Sequence, residues 1–440
     1  MFSTLKNAFR VREIRNKIIY TLFIILIFRL GCHVMVPFLN PDAVQAAASS
    51  QQGTLSTYLG LLTGGAFQNA TLFAMSITPF INASIIMQLL TVAIPALERL
   101  SKDEENGRKR IAQITRYVAV TLGLLQGFVY YITLTRNTAT LEDGTTQAVL
   151  ATNTPFGGGD WFRAIVIISC FVAGTALVMW LGEQINEKGI GNGISMILFA
   201  GILANFKSLV LYLIELYRNS EWILATAIIL GILFMIVYVV VISATERRIA
   251  VQYAKRVVGR KVYGGQSTHI PFKLNMSGVM SIIFASSLVS MPQMITEFFA
   301  DQTQGWIVFI QKWFGPRSWV YAIVFFLLII FFNFFYISIS YDPQEIANNL
   351  RKNSGSIPGI RPGEPTVQYI KKILNKITLI GAFAVALIAI IPVLVGILFP
   401  QVGNLGIGGT TLLICVGVAL DTMEAIESQL MMRHYKGFLE

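Results

Sequence analysis

Charged residues are scarce in this sequence. Only 13% of the 440 residues are charged, whereas 54% are hydrophobic. An ordinary soluble chain has roughly 25% charged and 45–50% apolar residues, so a soluble fold would have too little polar surface to cover this core. The sequence therefore predicts an integral membrane protein, and membrane lipid is its first expected partner.

Patterns typical of metal sites and disulfide frameworks are also missing. The three histidines are scattered singly, which gives no metal-ligand spacing. The three cysteines lie in separate apolar runs and are typical of small buried hydrophobic residues: Cys32, Cys170 and Cys415. We expect no metal site, no cofactor and no disulfide framework.

Ionisable residues, which ion-coupled transport would need within the membrane, are few. Within the apolar runs the main ionisable residues are Arg29, Lys207 and Asp421. An ion-coupled transporter usually places ionisable groups at mid-depth, so this scarcity argues against one. Arg29 is either functional or an arginine that faces the bundle and bonds to backbone carbonyls. No phosphate-binding glycine loop with its lysine occurs, so we expect no nucleotide hydrolysis and no enzyme activity.

Long apolar runs dominate what is present. A helix needs about 20 apolar residues to cross the hydrocarbon core. The first run is too long for a signal-peptide core and carries Arg29, so we expect a retained span there. The sequence predicts ten transmembrane helices, at residues 18–36, 72–97, 117–135, 164–182, 189–206, 222–245, 274–296, 318–341, 377–399 and 406–423.

The segment between the first two spans is too long for a simple connection. Residues 43–97 contain no charge and are interrupted by glycines and prolines. We predict a short helix at 54–67 that enters the membrane without crossing it, which requires cover by protein or by a water-filled cavity. A surface loop with some helix is the alternative.

Basic residues set the expected orientation. Assigning alternate loops to opposite sides places 27 of the 34 lysines and arginines on one side, which should be cytoplasmic. An even number of spans then puts both termini in the cytoplasm. Ten spans divide into two halves of five with opposite orientation, 1–220 and 221–440, and an inverted repeat places a pathway between its halves.

Two predicted cytoplasmic loops carry further signals, at 246–273 and 342–376. The first begins with alternating apolar residues and predicts a β-hairpin with a basic tip. The second contains a rigid Pro-Gly turn that holds Arg361 away from the membrane. Such basic loops either reflect the positive-inside rule alone or dock an acidic surface.

The second span has unlike faces. Ile77, Ile81 and Ile85 recur every four residues and share one face of a helix. Asn82 and Gln88 lie in the same stretch and either hold helices together or line a pore.

Several motifs together resemble the SecY family of protein-conducting channels over essentially the whole chain. They are SITPFINASIIMQLL at 76–90, MWLGEQINEKGIGNGIS at 179–195, YAKRVVGRKVYGGQSTHIP at 253–271, DPQEIANNL at 342–350 and PGIRPGE at 358–364. The resemblance implies an all-α polytopic membrane protein whose two inverted five-helix halves enclose an hourglass channel. It would pass unfolded polypeptides across the membrane and release apolar segments sideways into lipid.

The resemblance also implies a set of pore residues. An apolar ring would close the channel at mid-membrane: Ile77, Ile81, Leu198, Ile283 and Ile414. Leucine at 198 replaces the isoleucine that relatives can have, a volume-conserving change that keeps the seal. The half-helix at 54–67 resembles the plug below this ring, which would include Leu59, Leu61, Leu62, Gly64 and Gly65.

A lateral gate is implied between the second and seventh spans. Polar residues along its seam would be Asn82, Ser84, Gln88, Ser286 and Ser287. Polar neighbours of the pore would be Asn192, Asn275 and Thr410. Ser281 stands where relatives can have proline, so a bend in the seventh span is in question.

The implied partners are proteins and lipid. Arg260, Lys261 and Arg361 match the family's docking surface for the motor ATPase SecA and for the ribosome. The resemblance further implies the small subunits SecE and SecG, signal sequences and unfolded polypeptides as partners, and a bacterial plasma-membrane location. Two other classes stay open at this point. A secondary transporter or lipid flippase would need a small polar site with charge at mid-depth, and a structural scaffold would need no broken half-helix.

Overall fold

The computed structural model describes most of the chain. The described residues are 6, 8–50, 60, 63–102, 105–136, 138–140, 146–150, 160–219, 221–253, 256–258, 261–263, 267–297, 299, 305–315, 318–398 and 409–436.

Helices make up most of the described chain. They are α1 (Arg12–Gly31), α2 (Pro41–Ser50), α3 (Thr78–Ala93), α4 (Pro95–Lys102), α5 (Glu105–Arg136), α6 (Asp160–Lys188), α7 (Gly193–Ala204), α8 (Phe206–Arg218), α9 (Trp222–Ala244), α10 (Met280–Glu297), α11 (Gly305–Trp313), α12 (Trp319–Ser340), α13 (Pro343–Lys352), α14 (Glu364–Leu398) and α15 (Gly409–Lys436). The strands are β1 (Thr138–Thr140), β2 (Thr146–Ala148), β3 (Glu246–Tyr253), β4 (Arg256–Val258), β5 (Lys261–Tyr263), β6 (Ser267–Lys273) and β7 (Gly355–Ser356).

Each of the ten predicted spans falls on a helix. By length and hydropathy alone, six helical segments of the described chain can cross a bilayer, and the bent pair α3 and α4 makes a seventh. The remaining predicted spans fall on α1, α10 and α15. The polytopic all-α fold is therefore confirmed.

The second span is shorter than predicted. Helix α3 begins at Thr78 rather than at residue 72, because the residues before it form turns and Ser76 has a left-handed φ of 48°. At its other end Ile94 is extended, with φ −108° and ψ 112°. A residue before proline disfavours helical geometry, and the chain bends by 106° between α3 and α4.

The seventh span also starts late. Helix α10 begins at Met280 rather than at residue 274, and Gly278 before it has a φ of 58°. The helix runs through Ser281, whose Oγ lies 3.1 Å from Oγ of Ser277. The irregular backbone therefore precedes Ser281 and includes a glycine that can adopt the left-handed conformation without strain.

The hairpin prediction is confirmed. Strand β3 pairs antiparallel with β6, and β7 joins the other edge of β3 to give the order β6-β3-β7. Strands β4 and β5 form a second antiparallel pair within the same loop. Apolar residues of β3, α13 and α14 pack beneath the sheet, including Ile249, Val251, Leu350, Ile370 and Leu374.

The long helices pack within each predicted half and across the boundary between them. In the first half α3 packs on α5 and α5 on α6, and in the second α10 packs on α12 and α12 on α14. Across the boundary at residue 220, α3 packs against α10, α7 against α15, and α8 against its sequence neighbour α9. One large apolar cluster extends through both halves.

Candidate functional site

The five residues of the predicted ring are all buried. Each is at least nine-tenths buried, and all belong to the same apolar cluster: Ile77, Ile81, Leu198, Ile283 and Ile414. Ile77 caps α3 and Ile81 lies in its first turn, whereas the others lie on α7, α10 and α15. These four helices pack across the half boundary, α3 against α10 and α7 against α15.

A close helix crossing positions two sides of this cluster. A Cβ added at Gly193 of α7 would lie 1.9 Å from the carbonyl oxygen of Gly182 on α6, so no side chain fits there. A Cβ added at Gly182 would lie 3.4 Å from Cδ1 of Ile197 and 3.6 Å from Cδ1 of Ile77. Glycine at both positions therefore lets the two backbones meet next to Ile77. Sequence reasoning missed this crossing, although both glycines lie in the motif at 179–195.

Asn192 acts as a helix cap. Its side-chain oxygen accepts hydrogen bonds from the backbone N–H groups of Ile194 (3.0 Å) and Ser195 (3.4 Å). These bonds satisfy donors that a helix N-terminus otherwise leaves unpaired. Helix α7 carries Leu198 six residues after Asn192, so Asn192 positions the helix that holds a residue of the apolar cluster.

The other predicted polar neighbours differ in what the structure describes. Asn275 precedes α10, and its buried Oδ1 has no hydrogen-bond partner among the described residues. Thr410 lies in the first turn of α15 by its backbone. Ser281, fully buried, satisfies its hydroxyl with Ser277.

The polar residues predicted along the seam between α3 and α10 make hydrogen bonds only within their own helices, among the bonds of the described chain. Nε2 of Gln88 donates to Oγ of Ser84 at 3.3 Å. Ser286 donates to the carbonyl of Ile283 at 2.9 Å. Ser287 is half-buried, and Asn82 is buried in α3. Among the hydrogen bonds of the described residues, none joins α3 to α10, so the seam is held by apolar packing.

Only the end of the predicted plug lies in the described chain. Leu59, Leu61 and Leu62 fall outside the described residues, whereas Gly60 and Thr63 are helical. The predicted helix was extended too far, because turns begin at Gly64. Gly64 and Gly65 have φ values of 68° and 86°. Both lie in the left-handed region, which glycine adopts readily, so a right-handed helix does not continue through them.

The described plug residues contact two spans. Nη1 of Arg29 in α1 donates to the carbonyl of Gly64 at 3.2 Å. A Cβ added at Gly64 would lie 2.8 Å from the carbonyl oxygen of Gly201 in α7. Ala66 is fully buried in the same cluster as the ring residues. Of the two alternatives for Arg29, the structure supports bonding to a backbone carbonyl, and that carbonyl belongs to the predicted plug.

Two of the three predicted docking residues lie in the described chain. Arg260 is outside the described residues, and Lys261 is the first residue of β5. Arg361 is exposed in the turn before α14, where its carbonyl accepts a hydrogen bond from Thr366 at 2.9 Å. Gly359 and Gly363 flank this turn with φ values of 82° and 109°. Since β7 pairs with β3, the two loops form one surface.

An ion pair connects this surface to the bundle. Lys273 at the end of β6 pairs with Glu424 on α15, the helix that carries Ile414. The residues are 151 positions apart, and sequence reasoning missed the pair because no local pattern predicts it. Among the described residues, no group of histidines, cysteines and carboxylates could hold a metal ion.

Comparison with known proteins agrees with this arrangement. A family model described as SecY matches residues 71–423. The protein translocase subunit SecY of Streptomyces coelicolor is 41% identical over 443 residues and covers all of both chains. That of Thermotoga maritima is 39% identical over 450 residues, covering 100% of this chain and 98% of the relative.

Solved structures show the same fold. A protein-conducting channel superposes with a TM-score of 0.68 at 17% identity, covering 94% of this chain and 92% of the other. Sec61 in the canine ribosome–channel complex superposes with a TM-score of 0.63 at 16% identity, with the same coverage. Because the family model spans most of the chain and the relatives match it from end to end, this chain belongs to the SecY family.

Proposed function

We propose that this chain is the pore subunit of a protein translocase, which passes unfolded polypeptides across the membrane and releases apolar segments sideways into lipid. One observation carries the proposal: five aliphatic side chains from four helices all belong to one buried apolar cluster, and these helices pack against each other across the boundary between the two halves. A dry apolar constriction resists ions by dewetting. Aliphatic side chains also fit a passing chain of varied sequence, because their packing is not directional.

The seam between α3 and α10 is the proposed lateral gate. An apolar signal sequence would replace contacts between these helices, with a gain of about 25 cal/mol per Å² of apolar surface removed from water. The described plug segment would move aside, and this movement would break the bond between Arg29 and Gly64. Turns with left-handed glycines at Gly64 and Gly65 give that segment a point at which to bend.

The three-stranded sheet and the turn at Arg361 form the proposed docking surface for the driving partner. That partner would be the motor ATPase SecA or a ribosome, with SecE and SecG as small subunits. This surface and both termini would lie in the cytoplasm, which the excess of lysine and arginine in these loops supports, and the membrane would be a bacterial plasma membrane. The two halves, 1–220 and 221–440, would move relative to each other about their shared contacts.

Substituting a ring residue tests this function. Ile283→Ser should raise ion conductance through the resting protein in planar bilayers, since a hydroxyl favours water in the constriction. Ile329→Ser is the matched control, because Ile329 is fully buried in the same cluster but lies on α12, which carries no ring residue. Equal conductance for the two variants, or no rise for Ile283→Ser, would remove the ring from the proposal.

A further inference from the structure

Helix α11 has three unlike faces. It connects α10 with α12 and packs against both. Ile307 is fully buried, with Ile310 and Phe314 half-buried on the same side. Three exposed aromatic residues recur at the same spacing on a second face, roughly 100° away around the helix axis: Trp306, Phe309 and Trp313.

The remaining arc of α11 is more polar. Gln311 and Lys312 are exposed there, with Val308 between them around the axis. One face therefore meets protein, the second presents aromatic rings, and the third presents polar groups. A helix with this distribution fits a position where protein, lipid and water meet. The Lys312 ammonium would lie at the level of lipid phosphates.

Other tryptophans mark the same end of the bundle. Trp161, Trp222 and Trp319 are exposed in the first turns of α6, α9 and α12. Helix α9 leads from Trp222 to the hairpin, so Trp222 lies at the end away from the hairpin. Tryptophan is enriched where membrane spans meet the water interface. Exposed tryptophans in these positions are typical of a lipid interface, which the aromatic face of α11 would continue.

Helix α11 is also attached to the end of α10. Nε2 of Gln293 in α10 donates to the carbonyl of Phe314 at 2.5 Å. The ring of Phe299, just after α10, meets the ring of Trp306 edge-on with centroids 4.8 Å apart. Nη1 of Arg136 at the end of α5 donates to the carbonyl of Phe299 at 3.1 Å.

We propose that α11 binds the lipid–water interface through Trp306, Phe309 and Trp313 and thereby holds the end of α10 that is farther from the hairpin. The partner is the headgroup region of the membrane leaflet at that end. The second half of the proposal rests on the lateral gate proposed above, whereas lipid binding by α11 does not. Loosening this anchor should let α10 move away from α3.

Tryptophan fluorescence tests the lipid contact. The full chain is reconstituted in phosphatidylcholine vesicles, and the emission lost in Trp313→Phe gives the signal of Trp313 alone. That signal should be quenched strongly by phosphatidylcholine brominated close to the headgroup, less by lipid brominated near the chain ends, and weakly by aqueous iodide. Strong iodide quenching with no effect of brominated lipid would overturn the proposal.

A control moves the indole to the polar face. Val308→Trp in the Trp313→Phe background keeps the fluorophore on the same helix but turns it toward water, so iodide should quench it more strongly than brominated lipid does. If both positions report the same environment, α11 does not lie with its aromatic face in the interface.

Conductance tests the hold on α10. Trp313→Ser and Phe309→Ser should each raise resting ion conductance in planar bilayers several-fold, and Val308→Ser should leave it at the wild-type level. Lipid quenching of Trp313 with unchanged conductance in both serine variants would overturn the hold on α10. In that case the ring test with Ile283→Ser would still decide the proposed function separately.

Discussion

Individual side chains at the site owe their positions to backbone bonds as much as to packing. Asn192 satisfies two N–H groups at the start of α7, and Arg29 holds the carbonyl of Gly64 from a different span. Neither interaction lies within the apolar ring. Both fix the backbone that surrounds it, at the helix that carries Leu198 and at the predicted plug.

Removing the cap on α7 should cost stability. Asn192→Ala should lower the free energy of unfolding by about 0.5–2 kcal/mol, because two backbone donors lose their partner. The midpoint of thermal unfolding in detergent measures this. Asn192→Ser is the control, since serine is also a good cap and should keep most of the stability. Equal midpoints for the two variants would contradict the role of the side-chain oxygen.

Predictions at single positions succeeded where the conformation depends on neighbouring residues in the sequence and failed where it depends on contacts with distant parts of the chain. Ile77, Ile81 and Ile85 follow a helical spacing, and all three are buried. The left-handed φ at Ser76 has no such pattern, because it arises where the chain turns into α3 between packed spans. The bond from Arg29 to Gly64 joins residues 35 positions apart, so the sequence offered two alternatives for Arg29 but not the identity of its partner.

At the scale of elements, the crossing of α6 and α7 leaves no room for a side chain. Gly193→Ala would place a Cβ 1.9 Å from a backbone oxygen that no side-chain rotation can move away. We expect a large loss of folded protein, measured as monodisperse yield after purification. Gly231→Ala on α9 is the matched control, because its Cβ would meet nothing within 4 Å and alanine favours a helix over glycine by about 1 kcal/mol. Normal yield of Gly193→Ala would contradict the close crossing.

The proposed gate requires α3 and α10 to separate. Cysteines at Ser84 and Ser286, once cross-linked, should block translocation of a preprotein into vesicles, and reduction of the link should restore it. The single-cysteine variants under the same oxidant serve as controls. Full transport in the cross-linked form would show that this seam need not part.

Element boundaries were harder to predict than elements. Hydropathy located all ten spans because each depends on its own run of apolar residues. It placed the starts of α3 and α10 too early, because apolar residues at 72–77 and 274–279 are buried or half-buried in turns and irregular backbone instead of helix. In these segments tertiary packing satisfies the hydrophobic side chains, and composition cannot distinguish this from a longer helix.

At the scale of the whole molecule, the proposed docking surface and the predicted apolar ring are separate but connected. Two loops distant in sequence form the sheet β6-β3-β7, and Lys273 pairs with Glu424 on α15. Both side chains are about half exposed, so the pair contributes little to stability, about 0–1 kcal/mol. The ion pair matters more as a contact between the sheet and the helix that carries Ile414 than as a source of stability.

Reversing one charge on this surface should uncouple the driving partner. Arg361→Glu should reduce SecA-driven translocation into vesicles strongly, because an exposed basic side chain no longer meets an acidic partner. The unfolding midpoint should stay unchanged, since Arg361 is exposed. Arg218→Glu is the control, as Arg218 is an exposed basic residue at the end of α8, where it leads into the start of α9 away from the sheet. Equal transport by the two variants would remove Arg361 from the docking surface.

The hydrogen bonds along the proposed gate have a consequence for what it can recognise. Gln88 and Ser286 form hydrogen bonds within their own helices. Separating α3 from α10 therefore breaks none of those bonds and only replaces apolar contacts between the helices by apolar contacts with the entering segment. Such a gate selects segments by their overall hydrophobicity, as an apolar solvent does, and not by the order of their residues. Peptides unrelated in sequence but equal in partition coefficient should therefore enter it equally well.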